Sequence, residues 1–175
     1  MGPLISVLGV ILILGLPPLV GALILRSYRR AERQQPEKWD SGAGAGWPVL
    51  FGLGLLGGVG WMIAWYSWGG GPGNQYPHWQ VAASVICVVA SVVGLGCWAR
   101  WRISGPLVAA MGTVLGVCLP FGIHGAMHDD TGLWLAGLMF LEIGASVGLL
   151  LVSTAVTVGR HWWQGRRQEK IPGVA

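Results

Sequence analysis

The sequence predicts an all-α integral membrane protein, a compact bundle of five transmembrane helices forming a single domain over residues 1–175. Three observations carry that prediction. Charged residues are 10% of the chain and hydrophobic residues 53%, with a mean hydropathy of +0.60. A soluble domain carries about 25% charge to wet its surface, and a disordered chain is poor in apolar residues, so both classes are excluded. The apolar residues fall in five runs of roughly 20, the length that crosses a hydrocarbon core of about 30 Å. All 11 Lys and Arg lie outside these runs, in clusters that alternate with uncharged loops. Alternating ten-residue strands, the mark of a membrane barrel, are absent.

The first span covers 3–25. It lacks a basic leader and is longer than a signal core, so it reads as a retained anchor. Pro17 and Pro18 remove helical hydrogen bonds within it and predict a kink. Such a kink is either a broken helix lining a cavity or a static bend whose freed carbonyls neighbouring helices satisfy. The loop 26–47 mixes signs and then turns Gly/Ala-rich, which predicts an amphipathic surface helix followed by a flexible tether. The second span, 48–66, carries Gly54 and Gly58 four residues apart, hence on one face.

The outer loop 67–80 is rich in Gly and Pro but has no phosphate-binding motif. The third span, 81–99, bears the small-residue stripe Ala83, Cys87 and Ser91. The fourth, 106–126, carries Gly112 and Gly116, and the fifth, 133–159, carries Gly144 and Gly148. Without a hydrophobic drive between helices in lipid, such faces hold a bundle together by close contact, or serve an oligomer or larger complex. The tail 160–175 is basic and Trp-bearing, as a membrane-surface anchor is.

Charge orients the bundle. Arg26, Arg29, Arg30, Arg33 and Lys38 follow span one, Arg100 and Arg102 follow span three, and Arg160, Arg166, Arg167 and Lys170 follow span five. Short basic loops stay cytoplasmic, so the N-terminus is expected outside and the C-terminus inside a plasma (inner) membrane. The net charge of +4 and pI near 9.3 then reflect topology. Anionic lipid headgroups on the cytoplasmic side are the expected neighbours, and nucleic acid is not. Ten of the 11 Trp fall near span boundaries, where indole prefers to sit, and Trp61 alone lies within a span. Cys87, Cys97 and Cys118 all fall inside spans and read as buried thiols, with a Cys87–Cys118 bridge the one conceivable pairing.

Residues able to carry chemistry cluster toward the outer side. His124 and His128 are one helical turn apart, followed by Asp129 and Asp130. The two imidazoles and a carboxylate match a low-specificity metal pattern, which a hydrated helix end matches as well. Glu142 lies about nine residues into span five, near mid-membrane, where a carboxyl must protonate, find a partner or face water. With spans four and five antiparallel, His124 is expected about 9 Å above it, and the two suggest a proton or cation relay. The alternative is a neutral Glu142 bonded to a carbonyl or to Ser146. No cofactor is specified, and haem does not fit, since His124 lacks a partner at matched depth on another helix.

In span count, length and abundance of Trp the chain resembles the tryptophan-rich sensory protein (translocator protein) family. That family has a dense Trp–Pro run in its first loop. Here PEKWDSGAGAGWP holds Pro36, Trp39, Trp47 and Pro48, spread by a Gly/Ala insert, and asparagines of the family's last helix have no counterpart. The resemblance is one of size and composition. Three function classes follow from the residues, in this order. A non-enzymatic accessory or self-associating membrane component comes first. A small transporter or channel using Glu142 and the His/Asp cluster is second, and a metal or redox protein using His124 and His128 is third.

Overall fold

The computed structural model describes residues 3–34, 39–40, 42–68, 76–128 and 133–168. They form five helices: α1 (Pro3–Gln34), α2 (Trp47–Tyr66), α3 (His78–Trp98), α4 (Ser104–His128) and α5 (Leu133–Gln168). Four of them, α2 to α5, are long and apolar enough to cross a membrane. The chain is therefore all-helical and of the multi-pass membrane class. Helix α1 runs on as one α-helix through Pro17 and Pro18.

Local chemistry sets the helix starts. Gly46 is extended (φ −75°, ψ 169°) and a Pro follows in the first turn of α2, where its missing N–H has no helical partner to lose. Pro77, also extended, precedes α3. At 32 and 36 residues, α1 and α5 outlast the roughly 20 that a bilayer needs. Each carries a stretch of helix beyond the membrane boundary that the apolar runs mark. The amphipathic part of 26–47 is thus the end of α1 itself, up to Gln34.

Helix α4 is the axis of the bundle. It is 67% buried over its span, against 17% for each of α2, α3 and α5. It packs on all four other helices, with α2–α3, α3–α5 and α5–α1 as the remaining neighbours. No close backbone approach joins α1 to α2 among the described residues, so the ring around α4 is open there. A helix packed on four sides needs small residues, and α4 supplies Gly105, Ala109, Ala110, Gly112, Thr113 and Gly116, all buried.

The α2–α4 seam is a reciprocal glycine interlock. A Cβ on Gly54 would lie 2.5 Å from the Ala109 carbonyl oxygen, and one on Gly58 would lie 2.6 Å from that of Thr113. From the other side, a Cβ on Gly112 would strike the Phe51 carbonyl, and one on Gly116 that of Leu55. The backbones touch because neither helix presents a side chain there. Gly144 and Gly148 differ: a Cβ on either would meet nothing within 4 Å, so this pair packs on no other helix of the bundle. They lie about 200° and 240° round α5 from Glu142, on the outward side.

The Gly/Ala segment after α1 is not a loose tether. Gly42 and Gly44 adopt φ of 72° and 127°. The turn that results lets Ala45 donate to the Trp98 carbonyl (3.1 Å) and accept from the Arg100 N–H (3.2 Å). Ala45 and Ala99 form one isolated bridge and Asp40 and Trp101 another. A side chain on Gly44 would collide with the Trp98 carbonyl, so glycine is required there by space as well as by φ.

Candidate functional site

Glu142 lies inside the bundle, 2% exposed, on the α5 stripe of Leu138, Ala145 and Leu149 that meets α4. Its surroundings are apolar: Cys118, Val114, Trp134 and Leu138 belong to one core cluster, and the Cys118 thiol is its electrostatic neighbour. The carboxyl oxygen Oε1 has no hydrogen-bond partner among the described residues. Ser146, the expected partner one turn on, instead lines an apolar cavity of about 280 Å³ between α1, α4 and α5.

The helical phase does not turn His124 toward it. His124 is exposed. Six residues beyond Cys118, it is turned about 240° round α4 from the face that meets Glu142. The α5-facing positions at this level are Gly122 and Gly125, against Leu138 and Trp134. Helical phase thus points the exposed His124 away from the α4 face that meets Glu142. Asp129 and Asp130 lie outside the described residues, as does the side chain of His128. Among the described residues no three His, Cys, Asp or Glu side chains converge as metal ligands. Cys87, Cys97 and Cys118 are free thiols.

A second buried acid, Glu32, organises one end of the bundle. It is 1% exposed. Its Oε1 accepts from the backbone N–H groups of Ile103 (3.1 Å) and Ser104 (2.9 Å), and its Oε2 from the Ser104 hydroxyl (2.6 Å). These donors open α4, so a carboxylate from α1 serves as its N-cap and meets the positive end of its dipole. The Ser104 oxygen in turn accepts from Trp47 Nε1 (3.0 Å). Trp47 is thereby fixed, and the Arg29 guanidinium lies over its ring, Cζ 3.3 Å from the centroid.

The same α3–α4 turn is held from two more directions. Arg160 of α5 donates to the carbonyls of Gly96 (2.7 Å) and Ala99 (3.1 Å), the orphan acceptors at the end of α3. Arg100 forks onto Asp40, Nε to Oδ1 at 2.9 Å and Nη2 to Oδ2 at 2.8 Å, while the Gly42 N–H also donates to Oδ1 (2.8 Å). These hydrogen bonds, the Arg100 side chain's foremost, hold the Asp40 carboxyl down at about 2. Charge counting treated Arg100 and Arg160 as topology markers only. The signal that could have found Glu32 is spacing: it lies seven residues after Leu25, on the face of α1 that packs into the core.

Toward the other end, α2 and α3 are joined by side chains. Trp61 Nε1 donates to Ser91 Oγ (2.9 Å), Tyr66 and Ser84 share a hydrogen bond (3.0 Å), and Gln80 Nε2 reaches the Trp65 carbonyl. The small stripe on α3 thus supplies a hydroxyl to the one Trp within a span. No protein-family model, curated protein or solved structure matches this chain.

Proposed function

We propose that the protein is a non-enzymatic component of the plasma membrane that works by associating with a second copy of itself through the outward face of α5. In this reading α1 is a fifth span, with the N-terminus outside and the C-terminus in the cytoplasm. One observation carries the proposal. Of three glycine pairs spaced for helix packing, two are interlocked inside the bundle and the third, Gly144 and Gly148, faces open space. Ala155 and Gly159 extend that stripe about two and three turns further along the same side. A small-residue face toward lipid lets a second backbone approach closely and gain the van der Waals contact that α2 and α4 share.

Sedimentation of the full chain in mild detergent tests it. The wild type is expected as a dimer, and Gly148→Leu as a monomer with unchanged helix content. A monomeric wild type overturns the proposal.

A second reading, proton or cation handling by Glu142, is favoured by one observation: a buried carboxyl oxygen without a partner among apolar neighbours. Groups of this kind in spanning helices are retained for what they do, because burial without a partner is unfavourable. Proton flux into liposomes, compared between wild type and Glu142→Gln, decides it. Equal flux removes this reading.

A further inference from the structure

We infer that the open side of the ring, between the end of α1 and the start of α2, is a binding site for a phosphate-bearing anion, with a phospholipid headgroup as its source. This inference is independent of self-association through α5. Arg29, Glu32, Arg33, Trp47, Pro48 and Trp101 line a cavity of about 230 Å³ at that place. Two of the six are guanidinium groups one helical turn apart, close enough that the Arg33 charge contributes to lowering the Arg29 pKa, after burial. The single acid among them, Glu32, acts on Arg29 in the opposite sense but offsets only one of the two positive charges. Both oxygens of Glu32 are taken up by the donors that open α4. The cup keeps an excess of positive charge.

The geometry is built, not incidental. Arg29 is held flat on Trp47, which is itself fixed by Ser104. Stacking occupies the face of a guanidinium and leaves its N–H edge free to donate, and neither Arg29 nor Arg33 donates a hydrogen bond among the described residues. Two planar donors side by side match the oxygens of a phosphate. The indoles of Trp47 and Trp101 mark the level at which headgroups lie, since Trp47 is the first residue of a candidate span. Below the cup, the absence of a close α1–α2 approach leaves room beside α4 for an acyl chain.

Native mass spectrometry of the full chain in mild detergent, with added phosphatidylglycerol or phosphatidylcholine, tests the inference. The wild type is expected to retain one phosphatidylglycerol in preference to phosphatidylcholine. Removing both charges, Arg29→Gln with Arg33→Gln, is expected to weaken retention about tenfold. The control, Arg166→Gln with Arg167→Gln, removes the same charge from the end of α5 and is expected to change it less than twofold, about 0.4 kcal/mol. Should the double cup variant fail to fold, Arg33→Gln alone serves, since Arg33 is exposed. Equal losses in cup and control variants would overturn the inference, because the attraction would then be diffuse. Inorganic phosphate distinguishes the sources: failure to displace the lipid assigns the cup to a headgroup, and full displacement assigns it to a soluble phosphate and overturns the lipid source.

Discussion

Two buried carboxyls at different depths of the bundle have opposite logic. Glu32 is fully engaged, and its loss strands the N–H groups of Ile103 and Ser104 away from water. Glu32→Ala is expected to cost about 2–3 kcal/mol of stability, and Ser104→Ala about 1 kcal/mol, read as thermal unfolding in detergent. Glu142 is the reverse case. Its Oε1 bonds to nothing among the described residues, so Glu142→Leu is expected to keep or raise stability by about 1 kcal/mol, and Glu142→Gln to leave it within about 1 kcal/mol. A stability loss of more than about 2 kcal/mol in the Leu variant would mean the carboxyl is structural. The sequence marked Glu142 because an acid in an apolar run stands out. Glu32, in the string RSYRRAERQQPEKWD, looked like one charge among many. Its burial depends on a turn 71 residues away, which no local pattern contains.

Among the helices, the four spans α2 to α5 were legible because apolar length is a strong signal, and the glycine spacing found the α2–α4 seam. What spacing could not give is which glycine face meets a partner inside the chain, since a GxxxG stripe looks alike whether it faces a neighbour or lipid. The consequence is asymmetric tolerance. Gly112→Val drives a side chain into the Phe51 carbonyl and is expected to destabilise by about 3 kcal/mol or more, whereas Gly52→Ala and Gly57→Ala meet open space and should fall within about 0.5 kcal/mol of wild type. The Asp40–Arg100 clip carries a pH dependence. Its folded-state carboxyl titrates at about 2, below the unfolded value near 4, so its contribution is full above pH 4 and is lost as pH falls through about 2. Thermal unfolding in detergent should accordingly show wild type losing more stability than Asp40→Asn between pH 4 and pH 2.

For the whole molecule, the five-span arrangement makes one prediction about sides. Reporter fusions at Arg30, Asn74, Arg102, Asp130 and the C-terminus should alternate, in the order inside, outside, inside, outside, inside. Two neighbouring fusions on one side would remove the five-span topology. The charge pattern is what proposes this arrangement. The same residues turned out to hold the fold as well: Arg160 and Arg100 bind carbonyls and a carboxylate at the α3–α4 turn. A basic cluster reports position and bonding at once, and the sequence distinguishes the two only when the partner is nearby in the chain. Arg160 and Gly96 are 64 residues apart.

The turn between α3 and α4 depends on the first helix and on the last. Glu32 is synthesised early and can meet the start of α4 as soon as that helix emerges. Arg160 comes some sixty residues after the carbonyls it satisfies, when the rest of the bundle has already been inserted. Until then the carbonyls of Gly96 and Ala99 lack the donors that Arg160 supplies. A nascent chain stalled before residue 160 would therefore differ from a longer one at the end of a helix made much earlier, where two carbonyls would lack their guanidinium donors.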